Sequence, residues 1–123
     1  MSTDQKLNIL IALISLQVFM FLVAAVPRVI RELDTHRRTR RSKKLGDLDA
    51  KGEHERILRL ADEYMEQWPN ETYFEWAKAR AFFKLKQYPE ATALFQSLSE
   101  REPLWAEDAK KYLAAIQNAQ QRT

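Results

Sequence analysis

The side chains best suited to catalysis are few in this chain. Its 123 residues include no cysteine and two histidines, His36 and His54. The lack of cysteine excludes disulfides, thiolate metal sites and cysteine nucleophiles. Histidine can act as a general base or a metal ligand, but neither one stands in a nucleophile, phosphate-loop or metal-ligand motif. The sequence therefore predicts a protein that is not an enzyme and that has no cofactor and no metal site.

An uncharged apolar stretch, residues 7–26, follows a short leader, residues 1–6. As a helix, its 20 residues extend about 30 Å, the thickness of a bilayer's hydrocarbon core. A soluble core helix and a cleaved signal peptide are the alternatives. The stretch is longer than a usual signal core, has only Lys6 as a basic residue before it and is followed by eight basic residues. These features favour an uncleaved single-pass transmembrane helix.

A basic juxtamembrane segment, residues 27–44, follows the span. It holds eight basic and two acidic residues, whereas residues 45–123 hold 11 basic and 14 acidic ones. Basic residues near a span stay in the cytoplasm, so we expect the N-terminus outside and the C-terminal domain inside. The short leader and the absence of cysteine favour a bacterial inner membrane.

The same segment has two further interpretations besides setting topology. It can contact anionic lipid headgroups, with Val26, Ile30 and Leu33 at helical spacing as an apolar stripe along the interface. Nucleic-acid binding is not favoured, because no aromatic side chain interleaves with the charges. The candidate headgroup contacts are Arg28, Arg31, Arg37, Arg38, Arg40, Arg41, Lys43 and Lys44.

Pro69 and Pro103 each follow a set of mostly small or apolar positions. The same number of residues that separates the two prolines also separates the matching positions of the two sets. Shifting the chain by this interval superposes pairs of residues at helical spacing, most of which are small or apolar at both positions. A fixed period of about 34 residues with helical spacing inside it is typical of helix–turn–helix repeats. The main pairs are Leu45 with Ala79, Leu48 with Phe82, Gly52 with Lys86, Ile57 with Ala91, Ala61 with Phe95 and Tyr64 with Leu98.

From about Arg38 onwards the chain resembles the tetratricopeptide-repeat family. The second repeat carries the resemblance most clearly, through Ala79, Phe82, Tyr88, Ala91, Phe95 and Pro103. The resemblance implies an all-α solenoid over residues 45–123, with about two repeats and a capping helix that holds Ala109, Leu113 and Ile116. Locally, Thr72 and Glu75 have the spacing of a capping box at a helix start. Pro89 fits the first turn of the next helix.

The resemblance also implies a binding face. In this family the first helix of each repeat lines the inner surface, which binds peptides or helices. The corresponding residues of the second repeat are Tyr73, Trp76, Arg80 and Lys84. An aromatic pair beside two cations could hold an acidic or C-terminal peptide. The alternative for Trp76 is that it packs within the repeats.

These observations predict a membrane-anchored adaptor that recruits or stabilises a protein partner at the cytoplasmic face. Self-association is a further possibility. The alternative is a small accessory subunit of a membrane enzyme, transporter or secretion complex. In that case the transmembrane helix makes the main contacts, and its polar residues Asn8, Ser15 and Gln17 face a partner helix.

Overall fold

The computed structural model describes residues 2–122, and over this range the chain has five helices and no strand. The predicted all-α class is confirmed for these residues, while Met1 of the predicted leader lies outside them. The chain divides into two compact units, one ending at Arg38 and the other beginning at Thr39. The helices are α1 Thr3–Ala50, α2 His54–Gln67, α3 Thr72–Lys84, α4 Tyr88–Arg101 and α5 Pro103–Gln121.

The first unit consists of α1 as far as Arg38. Among the described residues, α1 is the one helix long and apolar enough to cross a membrane. Its large apolar side chains between Leu7 and Leu33 are 46–72% exposed. Length and composition thus make α1 a candidate membrane span. Pro27 lies inside α1, so the predicted span and the predicted basic segment belong to one helix.

The second unit contains the last turns of α1 together with α2–α5, which pack each against the next. Two apolar clusters hold it together, and each fully buried large side chain contributes about 1.5–3 kcal/mol. The first cluster joins α1, α2 and α3 through Leu45, Leu48, Ile57, Ala61, Tyr64, Phe74 and Ala81. The second joins α3, α4 and α5 through Trp76, Ala79, Ala91, Phe95, Leu98, Ala109 and Ile116.

The helices of this unit repeat at the interval that separates Pro69 from Pro103. α1 and α3 end one such interval apart, at Ala50 and Lys84, and both ends of α2 precede those of α4 by the same interval. The buried positions of α2 and α4 also correspond, because each helix has one apolar stripe at i, i+4 and i+7. These positions are Ile57, Ala61 and Tyr64 in α2, and Ala91, Phe95 and Leu98 in α4.

The turns after α1 and α3 have the same hydrogen bonds. The amide of Glu53 donates to the carbonyl of Leu48, and that of Gln87 donates to the carbonyl of Phe82. Both are Schellman motifs, which need a left-handed residue just beyond the helix. Gly52 fills this position after α1 with φ of 76°, and Lys86 fills it after α3 with φ of 61°.

The helix starts differ in part from the sequence-based expectation. Pro89 lies in the first turn of α4 as predicted. The predicted capping box at Thr72 and Glu75 is wrong, because the N-cap of α3 is Glu71 and it has no side-chain cap. The Thr72 hydroxyl donates to Glu102 instead, at 3.2 Å, and Glu75 pairs with Arg101. Both side chains therefore connect α3 to the end of α4.

Candidate partner-binding face

The four predicted partner contacts lie on successive turns of α3 but differ in accessibility. Tyr73 and Arg80 are half-buried, and Lys84 is exposed. Trp76 belongs to the second apolar cluster and is 8% exposed. Tyr73, Arg80 and Lys84 are thus accessible to a partner, whereas Trp76 lies mostly beneath the surface.

Trp76 is enclosed by aromatic rings from two neighbouring helices. Its ring centroid lies 5.4 Å from that of Phe95 on α4, and 4.9 and 5.5 Å from those of Trp105 and Tyr112 on α5. Edge-to-face and tilted arrangements at these distances stabilise aromatic pairs. This is the packing role that the sequence left open as the alternative for Trp76. A contact between Trp76 and a partner stays a prediction. Little of the Trp76 surface is accessible for such a contact.

Arg80 connects three helices through its guanidinium group. One terminal nitrogen lies 3.2 Å from a carboxylate oxygen of Asp49 on α1. Its Nε donates a hydrogen bond of 3.0 Å to the Tyr112 hydroxyl on α5. The other Asp49 oxygen lies 3.7 Å from Nδ1 of His54. Because charge-assisted hydrogen bonds fix geometry, Arg80 is held in one orientation while 34% of its side chain remains exposed.

Tyr73 lies beside this charged group. Burial raises the pKa of its hydroxyl above the usual value; nearby Arg80 acts to lower that pKa and Asp49 to raise it. Tyr73 and Arg80 line a cleft of about 10 Å³ together with Leu45 and Ile57, and that is about the least space a single water needs. A ligand bound at this face would therefore lie on the surface of α3 and not in a preformed pocket.

The basic residues of the juxtamembrane segment all lie on α1, and they too differ in exposure. Arg28, Lys43 and most of the others are exposed, whereas Arg38 and Arg41 are half-buried. The guanidinium of Arg41 lies over the Tyr64 ring at 5.3 Å from its centroid, a distance that allows a cation–π contact. Arg41 therefore contributes to packing as well as to surface charge.

Sequence reasoning missed Asp49 and Tyr112, the two partners of Arg80. Asp49 lies among charged residues that have the pattern of a solvated helix face, and nothing local marks it as a partner of α3. Tyr112 could have been found from the sequence. It lies three residues after Ala109, which is predicted to lie on the packed face of the capping helix, so helical spacing puts Tyr112 beside that face. Only the packing of α1, α3 and α5 brings these groups together.

Comparison with known proteins returned no match to a family model, a curated protein or a solved structure. Among residues 2–122, no group of three or more His, Asp or Glu side chains is placed to hold a metal ion.

Proposed function

We propose that this chain is a single-pass membrane protein whose tetratricopeptide-like domain recruits or stabilises a protein partner at the cytoplasmic face. The observation that carries the proposal is the presence, in one chain, of an exposed apolar helix and a separately packed helical unit. An exposed apolar helix of this length needs a membrane or a partner to cover it. The packed unit is then held at the membrane surface.

The proposed repeat architecture is supported by the periodicity of the helix ends. α2 and α4 have the same length and are offset by the interval between Pro69 and Pro103, and the Schellman turns at Gly52 and Lys86 have the same offset. A plain helical bundle has no reason to repeat at this interval. Proteins built from such repeats bind other proteins along an extended helical surface.

The proposed contact surface is the accessible part of α3. Lys84 supplies positive charge, and one turn before it Arg80 keeps 34% of its side chain exposed while it pairs with Asp49. Tyr73 adds an aromatic side chain with a polar tip. These groups suit an acidic segment or a C-terminal carboxylate of the partner. Trp76, on the same helix, packs within the second apolar cluster and adds little to this surface.

The basic segment on α1 orients the protein in this proposal. Exposed residues such as Arg28, Arg37 and Arg40 keep the following domain in the cytoplasm. The same charges attract anionic headgroups by about 1 kcal/mol for each residue near the surface. The half-buried residue Arg41 contributes less to this attraction than its exposed neighbours.

The second candidate function is an accessory subunit of a membrane complex. It is supported by the polar residues Asn8, Ser15 and Gln17, which are exposed within the apolar part of α1. Polar side chains in hydrocarbon favour contacts with other helices. In this case α1 recognises the partner, and the helical domain only docks onto it.

One experiment distinguishes the two functions. Proximity labelling in native membranes identifies the proteins beside the full chain, and the labelling is repeated after residues 7–26 are replaced by an unrelated single span. An adaptor keeps its partner after the exchange, whereas an accessory subunit loses it. Lys84→Glu should then remove the partner of an adaptor, while Lys110→Glu, the same charge change at an exposed position of α5, should leave it. Retention of the partner by Lys84→Glu would overturn the proposed contact surface.

A further inference from the structure

α1 exposes apolar side chains beyond the stretch that fills a bilayer. Val29, Ile30 and Leu33 are 53%, 60% and 53% exposed, and they follow the 20-residue uncharged stretch that ends at Val26. That stretch already matches the hydrocarbon thickness of about 30 Å. The helix therefore carries apolar side chains into the juxtamembrane segment, next to charged residues and beyond the length that spans the hydrocarbon.

Some of the apolar residues at this end of the uncharged stretch have the spacing of a coiled-coil seam. Val26, Val29 and Leu33 are separated by three and four residues, as the a and d positions of a heptad are. The same heptad register extends back into the span, where its a and d positions hold small and polar residues as well as large apolar ones. The seam positions are Asn8, Ala12, Ser15, Phe19, Leu22, Val26, Val29 and Leu33.

Charges beside the seam are complementary in this register. Glu32 occupies a g position and Arg37 the e position of the next heptad. In a parallel pair of helices, g of one chain faces e of the following heptad in the other, and opposite charges there set orientation and partner choice. Two copies of α1 would form this Glu32–Arg37 contact twice, once on each side of the seam.

We propose that α1 pairs in parallel with α1 of a second copy along this seam. The inference rests on the proposed function, because two copies inserted in the same membrane orientation can pair only in parallel. Within hydrocarbon, the Asn8 side chains can hydrogen-bond to one another, and Ala12 and Ser15 allow the helix backbones to approach closely. Gln17 lies on the opposite side of the helix and takes no part in the pairing. The pair presents two copies of the α3 face, which increases the apparent affinity for a bivalent partner.

Disulfide crosslinking tests this directly, because the chain has no cysteine of its own. Single substitutions Val29→Cys and Leu33→Cys place a thiol on the seam, and Arg28→Cys and Arg31→Cys place one on neighbouring exposed positions away from it. After mild oxidation of native membranes at low expression, the seam variants should give several-fold more covalent dimer than the two controls. Equal crosslinking at all four positions, or none at any, would overturn the pairing and leave the lipid interface as the cover for these apolar residues.

Two controls separate failure of the pairing from failure of the proposed anchor. Extraction of the membranes with alkaline carbonate is done first. Release of the protein contradicts the anchor itself, whereas retention without seam crosslinking contradicts only the pairing. In the span, Asn8→Leu should lower the dimer yield of the Leu33→Cys variant, and Gln17→Leu should not. Equal effects of these two substitutions would contradict the register.

The charge contact has its own reversal test in the Leu33→Cys background. Glu32→Arg and Arg37→Glu should each lower the dimer yield because each places like charges opposite one another. The variant with both changes should restore the yield, since it restores opposite charges in swapped positions. Failure of the double variant to exceed the two single variants would show that Glu32 and Arg37 do not face each other.

Discussion

Gly52 and Lys86 occupy equivalent left-handed positions with very different side chains. This backbone conformation is free of steric cost for glycine and costs a residue with a Cβ about 1 kcal/mol or more. Lys86→Gly should therefore raise the free energy of unfolding of the second unit, by about 0.5–1 kcal/mol after the extra freedom of the unfolded chain is subtracted. Tryptophan fluorescence during urea unfolding in detergent measures this, because all three tryptophans lie in that unit.

Matched substitutions show whether the backbone is the cause. Lys86→Ala keeps a Cβ in the left-handed conformation, so its stability should stay near that of the wild type. Gly52→Ala should lower the stability by about 1 kcal/mol. A Cβ built at Gly52 meets no atom within 4 Å, so this loss would come from the backbone alone. An equal gain from Lys86→Gly and Lys86→Ala would contradict the explanation.

Tyr73 links the stability of the domain to alkaline pH. Burial raises the pKa of its hydroxyl above the ordinary value of 10.0, so the unfolded chain loses this proton at a lower pH than the folded one. The contribution of Tyr73 to stability is complete below about pH 10 and decreases as the pH rises through the folded-state pKa. Thermal melting between about pH 8 and pH 11 should show a smaller loss of stability for Tyr73→Phe than for the wild type. If the wild type and Tyr73→Phe lose the same amount of stability as the pH rises, groups other than Tyr73 cause the loss.

At the scale of helices, the packing of α3 against α4 and α5 depends on Trp76. Replacing a large buried aromatic residue by alanine costs about 3–5 kcal/mol, and Trp76 is 8% exposed. We therefore expect Trp76→Ala to lower the melting temperature of the domain strongly, as followed by circular dichroism. Leu104→Ala is the control, because Leu104 is 92% exposed. A stable Trp76→Ala variant that had lost its partner would instead show that Trp76 acts in binding.

The elements that could be predicted from the sequence are those with local signals. α2 and α4 follow from one apolar stripe each and from Pro69 and Pro103 just beyond their ends. The local pattern at Thr72 was misleading, because its hydroxyl bonds to Glu102, 30 residues further on. The partners of Arg80 were also missed, since they come from α1 and α5. Long-range polar contacts depend on helix packing, which spacing within one helix does not reveal.

At the scale of the whole molecule, the division of the chain follows from composition. Residues 7–26 carry no charge, and the large apolar side chains of α1 from Leu7 to Leu33 are exposed. The predicted boundary at residue 45 falls inside α1, and the packed unit begins at Thr39. Charge patterning did not reveal this, because residues such as Arg41 carry charge and also pack against an aromatic ring. A soluble fragment of the domain should accordingly begin at or before Thr39.

The central claim is that α1 crosses a membrane and leaves the helical domain in the cytoplasm. Labelling of single-cysteine variants with a membrane-impermeant maleimide tests it in intact cells. Thr3→Cys should react from outside, Leu16→Cys should stay unreactive in the hydrocarbon core, and Lys110→Cys should react only after the membrane is permeabilised. Reaction of Lys110→Cys in intact cells, or of Leu16→Cys as readily as Thr3→Cys, would contradict the account.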